Sequence, residues 1–140
     1  MSRRRSAAAG AAAALVWGLA EPIDRRIFRY DYSDIALLGK TVTRGRGWRA
    51  AGYAMHAANG ALFGLGYDAV RRRTSIPPVR LGVGLALLEN TLLYPLTFVL
   101  DRRHPARGGP GVPQLATARA YAQSTWRHAL FGYVLARLAR

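Results

Sequence analysis

Charge is unevenly spread along this chain: it gathers in short blocks, and between the blocks lie four stretches that carry little of it. The first, Ser6 to Ala20, is Ala-rich, follows Arg3, Arg4 and Arg5, and ends at Glu21-Pro22 ahead of the charged run Asp24-Arg25-Arg26. The second, Ala50 to Tyr67, is interrupted only by His56 and Asn59 and is closed by Asp68 and by Arg71 to Arg73. The third, Leu81 to Leu100, holds a single carboxylate, Glu89, within about 20 residues, the length a helix needs to cross a hydrocarbon core. The fourth, Thr117 to Leu138, is the most polar, with Arg119, Gln123, Ser124, Arg127 and His128, and is continuously apolar only from Ala129 to Ala136.

This pattern predicts an all-α protein of one domain, a four-helix transmembrane bundle with helices at about 6-22, 49-70, 79-100 and 117-138. A water-soluble bundle would repeat charges along one face of every helix at 3.6-residue spacing. Here the arginines fall between the segments instead, in blocks at 3-5, 25-29, 44-49, 71-73 and 102-107, with Tyr30, Tyr32, Trp48, Tyr53, Tyr67 and Tyr94 near the segment ends. Basic flanks and aromatic belts of this kind mark membrane interfaces. The N-terminus also has the parts of a secretory signal peptide, with three arginines, an apolar run and Gly18-Leu19-Ala20 as a cleavage site. Arginine before the first helix favours both termini in the cytoplasm and a cell-membrane, multi-pass location.

Between the first two segments, Ser33-Asp34 followed by Ile35 to Leu38 and stopped by Gly39 predicts a short interfacial helix near 33-39, with Ser33 as N-cap. Pro95 is expected to kink the third helix. Thr74 to Pro78 and the Gly- and Pro-rich stretch Pro105 to Pro113 cannot continue a helix.

Shifted by 68 residues, the chain aligns its second segment with its fourth: Tyr53-Ala54 meets Tyr121-Ala122, Ala61-Leu62-Phe63-Gly64 meets Ala129-Leu130-Phe131-Gly132, and Glu21 falls on Glu89. This points to two duplicated helical hairpins entering the membrane from one side. Gly60 with Gly64, and Gly132 with Ala136, form small-residue pairs one turn apart that let helices approach closely, within one chain or between copies.

Composition narrows the chemistry. The 140 residues include 21 Lys plus Arg against 7 Asp plus Glu, a net charge of +14, with 51% hydrophobic residues and no cysteine. The apolar content excludes a disordered basic tail. The missing thiol excludes disulfides, thiol catalysis and Cys-held metals. Lys40 is the single lysine, and arginine suits anionic headgroups by bidentate hydrogen bonding. Nucleic acid is the less favoured partner, because the basic residues alternate with uncharged segments and no recognition motif is present. The expected partners are a bilayer with anionic headgroups and either another membrane protein or further copies of the chain.

No phosphate loop, dinucleotide fingerprint, zinc-protease motif or nucleophile elbow is present, so no enzymatic activity, cofactor or metal is expected. What remains is a set of polar residues at membrane depth: Glu21, His56, Asn59, Glu89, Asn90, Arg127 and His128. Ionisable groups there face the bundle interior. Glu89 with Arg127 is an expected ion pair, and His56 with Asn59 an expected inter-helix bonding pair. A haem between His56 and His128 is disfavoured, since the repeat does not make those histidines equivalent. A structural or accessory subunit of a membrane assembly is the leading expectation. A small-solute or proton pathway through Glu89, Glu21 and the His and Arg residues is the alternative.

Overall fold

A computed structural model describes residues 2-139. Among them are six α-helices and no strand: α1 (Arg3–Phe28), α2 (Asp34–Val42), α3 (Trp48–Arg71), α4 (Pro78–Leu93), α5 (Leu96–Arg103) and α6 (Ala118–Leu138).

Three of the expected boundaries move, each for a local reason. Helix α1 does not stop at Glu21-Pro22 but continues to Phe28. Proline inside a helix frees the carbonyl four residues earlier, here that of Gly18, and the Tyr53 hydroxyl of α3 donates to it at 3.4 Å. The helix ends instead at Arg29, which adopts the left-handed conformation (φ 50°) and bonds its amide to the Arg25 carbonyl. The expected third helix is broken at Tyr94-Pro95 into α4 and α5, which meet at a bend of 52°. Ser33 caps α2 as expected, accepting from the Ala36 amide at 3.0 Å. Gly39 does not end that helix, which runs on to Val42. A Cβ at Gly39 would strike the Trp48 backbone, so the residue serves close packing of α2 on α3.

Helix α1 packs on α3, α4 on α6, and α1 on α6, whereas α3 and α4 barely touch. The contacts run through small residues. A Cβ at Gly60 would lie 2.6 Å from the Ala14 Cβ, one at Gly64 would stand 3.2 Å from the Gly10 Cα, and one at Gly82 would lie 2.5 Å from the Gly132 carbonyl oxygen. The pairs Gly64–Gly10 and Gly132–Gly82 are not related by a single 68-residue shift, since position 14 rather than 10 corresponds to 82. The α4–α6 contact is therefore displaced by one helical turn from the place that the 68-residue shift of the α1–α3 contact would give it. At one end of the molecule the segments 30-41 and 104-114 interlock: the Ser33 amide donates to the Gly111 carbonyl at 2.9 Å, the Gly111 amide to Asp31 at 2.9 Å, and Lys40 to the Pro110 carbonyl at 2.5 Å. At the other end the Tyr67 hydroxyl donates to the Pro78 carbonyl at 3.2 Å.

The interior combines an apolar core, which includes Ala13, Trp17, Leu81, Phe131 and Leu135, with buried polar and charged side chains. Glu21, Asp24, His56, Asn90, Gln123 and Arg127 are all buried. Leu19, Ile23 and Ile27 on one line of α1, Leu62 on α3 and Leu92 on α4 are 63 to 70% exposed. Among the described residues, helix α1 alone is long and apolar enough to cross a membrane, and the bent pair α4–α5 is a second if taken as one span.

Candidate functional site

Two features occupy the interior side by side: a buried charge cluster and a cavity. The cluster centres on Arg127 of α6, none of whose side chain is exposed. Its Nε donates to Asp24 Oδ2 at 2.7 Å and its Nη2 to Asp24 Oδ1 at 2.6 Å, a two-point pair. Nη1 donates to Asp34 Oδ2 at 2.8 Å, and Nη2 also reaches the Tyr32 carbonyl at 2.8 Å. Glu21 Oε1 lies 3.7 Å from Nη1, too far for a hydrogen bond. The main partners of Glu21 are at the start of α2: the Asp34 amide donates to it at 2.7 Å, the Ile35 amide at 3.2 Å and the Ser33 hydroxyl at 2.5 Å. A helix N-terminus offers free amides and a positive dipole end, so this carboxylate seats α2 on α1.

Asp34, on α2, joins the cluster to the cavity. Besides Arg127 it accepts from the Trp17 indole at 3.1 Å and the Tyr32 hydroxyl at 2.5 Å. Burial works to raise the pKa of Asp34, but the Arg127 guanidinium, then His56 and the Tyr32 hydrogen bond, outweigh it and hold the carboxyl below its ordinary value. Burial, reinforced by the Asp34 carboxylate, pushes the Tyr32 phenol well above its ordinary range, so it remains a donor.

The cavity, about 360 Å³, lies where α3 and α4 diverge, and α5 bends away without burying a residue. Its walls are aromatic: Trp17, Tyr32, Phe63, Tyr94, Tyr121 and Phe131. Its polar lining gathers His56, Asn59, Glu89, Asn90 and His128 with Asp34 and Ser124. Trp17 packs its indole edgewise on both imidazoles, at 4.9 Å from His56 and 4.7 Å from His128. Asn90 is satisfied by Thr125 at 3.0 Å and Ser124 at 2.7 Å. Asn59 is exposed at the rim.

Five of the seven expected polar residues thus line one cavity, and the other two, Glu21 and Arg127, stand behind its Asp34 wall. Two expected pairings are corrected. Glu89 does not meet Arg127, because Asp24 and Asp34 fill the donors of that guanidinium; it faces His128 Nε2 at 3.8 Å. Among the described residues Asn59, on α3 like His56, shows no side-chain hydrogen bond to another helix, and His56 Nε2 is buried with no partner. Nor do Glu21 and Glu89 hold equivalent places: the side chain of one is 5% exposed in the cluster, that of the other 40% exposed in the cavity wall. The pairs Gly60/Gly64 and Gly132/Ala136 lie in the α1–α3 and α4–α6 contacts of the same chain.

Asp24, Asp34 and Trp17 were missed as site residues. Asp24 had one available signal, its three-residue spacing from Glu21, which puts both carboxylates on one helix face. Asp34 and Trp17 had none, since only the fold of α2 against α1 and α3 brings them in. Among the described residues no three metal-ligating side chains cluster. Comparison of the chain with known protein families, curated proteins and solved structures finds no match.

Proposed function

We propose that this chain is a small integral membrane protein, a four-helix bundle in which α4 and α5 form one bent span, and that it binds a small molecule between its helices. The observation that carries this reading is the 360 Å³ cavity in which five polar residues converge inside aromatic walls. Apolar pockets with a few convergent polar groups are where proteins bind small ligands, and this volume falls at the lower end of their range.

Membrane residence is supported by the large apolar side chains left on the surface, among them Leu19, Ile23, Ile27, Leu62 and Leu92, and by charged groups held inside beside the apolar core. Helices α3 and α6 are not apolar enough by composition because they carry His56, Gln123 and Arg127, and those residues point inward, away from any lipid. Helix α1 supplies Trp17, Glu21 and Asp24 to the interior, which favours a body helix over a cleaved leader. The interlocked 30-41 and 104-114 segments belong on one side, and both termini on the other, which we assign to the cytoplasm. The two hairpins read as a duplicated unit whose copies have slipped by a turn and diverged in use.

The cavity moves the weight from an accessory subunit to a small-solute site. Two measurements test this. Alkaline carbonate should leave the protein in the membrane pellet, and release into the supernatant overturns the membrane assignment. In lipid nanodiscs, calorimetry with 4-phenylbutanol should show saturable binding that is lost when the exposed rim is filled by Asn59→Phe with Leu93→Phe. Binding unchanged by the filled rim overturns the cavity assignment.

A further inference from the structure

The chain has 7 carboxylates in a threefold excess of basic residues, and six of them accept hydrogen bonds. Asp24 and Asp34 hold Arg127, and Glu21 holds the α2 amides. Asp31 accepts from Arg25, Asp68 from Arg72, and Asp101 from the Leu115 and Ala116 amides. Glu89 alone accepts none among the described residues; its one ionic neighbour is His128, at 3.8 Å. Glu89 lines the open cavity together with Asp34, but Asp34 is already held by Arg127, Trp17 and Tyr32.

The cavity lining also offers amide and hydroxyl groups, on Asn59, Tyr94, Thr97 and Tyr121. The other ring nitrogen of His128, Nδ1, donates to the Ser124 carbonyl at 2.8 Å, which leaves Nε2 of the neutral ring with a lone pair. The adjoining cluster sets one guanidinium against three carboxylates. Among the described residues no arginine or lysine lines the cavity, although the chain has 21. Aromatic faces complete the wall, and they attract cations.

We propose that the ligand of this cavity is a lipophilic organic ammonium ion, its N–H donated to Glu89 and its apolar body held against the aromatic walls. The proposal rests on the cavity reading above. An anion is disfavoured by the Glu89 carboxylate in a lining without arginine or lysine among the described residues, and a neutral hydrocarbon would leave Glu89 unsatisfied. The sparse contact between α3 and α4 gives such a molecule a sideways entrance.

The test compares N,N-dimethyl-4-phenylbutylammonium with neutral 4-phenylbutanol by calorimetry in nanodiscs of zwitterionic lipid. The parent protein should bind the ammonium at least about tenfold more tightly. Glu89→Gln should bring the two within about twofold, and Glu89→Asp should keep a preference for the cation. Should Glu89→Gln fail to fold, the parent protein still decides: a hydrophobic carbodiimide should modify Glu89, and the tertiary ammonium, which it cannot acylate, should protect the residue where the alcohol does not. Equal binding of both probes, lost on filling the rim, leaves the cavity reading standing and overturns the cation. Absence of saturable binding by either probe overturns the cavity reading and the cation with it.

Discussion

Arg127 of α6 and Asp24 of α1, 103 residues apart in sequence, form a buried two-point pair with N–O distances of 2.6 and 2.7 Å. Planar guanidinium matched to planar carboxylate fixes both distance and rotation between two helices. The same guanidinium reaches Asp34 on α2, so one side chain sets the placement of three helices.

Arg127→Gln should therefore be among the most damaging substitutions. It removes the cation bonded to both Asp24 and Asp34, and breaking one side of a buried pair costs about 3–5 kcal/mol. Arg127→Lys should recover little, because an ammonium cannot satisfy Asp24 at two points and Asp34 at a third. Asp24→Asn combined with Arg127→Gln should cost less than the two single losses added together. Denaturant unfolding in mild detergent measures all three. Full additivity would show that the pair is not a coupled unit.

The glycine contacts predict a sharp split between positions. Gly82→Leu and Gly132→Leu should destabilise strongly or prevent folding, since even a Cβ at either site meets the facing backbone within 2.5 Å. Gly66→Ala and Gly84→Ala, where a Cβ meets nothing within 4 Å, should be neutral or stabilise by up to about 1 kcal/mol through helix propensity. Thermal unfolding of the four variants checks the split, and loss of stability at Gly66 or Gly84 would contradict it.

How much of this was legible in the sequence follows from what each device needs. The helices were legible because charge and proline punctuate the chain, and the Ser33 cap because its chemistry is local. The break of Pro95 into two helices was foreshadowed as a kink. The continuation of α1 past Pro22 was not, because it depends on the Tyr53 hydroxyl arriving from another helix. Among site residues, His56, Glu89 and His128 stood out as polar in apolar surroundings. Asp24 hid among arginines that resemble a solvated flank, and so the partner of Arg127 was misassigned to Glu89.

For the membrane arrangement proposed above, the absence of cysteine makes topology directly measurable. Single cysteines at Arg46 and Gly108 should react with a membrane-impermeant maleimide from the same side of sealed vesicles, and one at Ser75 only after the vesicles are opened from the other. Labelling of positions 46 and 108 from opposite faces would break the parallel arrangement of the hairpins.

The pH dependence of stability has a direction at each limit that the loop and α2 residues set. Asp34 is held below its ordinary value of 3.8, so the folded state prefers its ionised form. Its stabilising contribution is complete above that value and is lost as pH falls through the lower, folded-state pKa. Tyr32 is raised well above its ordinary value of 10.0, so the folded state prefers the neutral phenol. Its contribution is complete below pH 10.0 and is lost as pH rises through the higher, folded-state pKa. Unfolding free energy should thus change little with these two groups from about pH 5 to 9 and fall at both ends. Asp34→Asn should lower stability at neutral pH, because Arg127 keeps only Asp24 as a close carboxylate partner, and should flatten the acid limb. Tyr32→Phe should flatten the alkaline limb while leaving the acid one in place. A parent-like alkaline limb in Tyr32→Phe would place the titrating group elsewhere, and with it the claim that this buried phenol holds Asp34 as a donor.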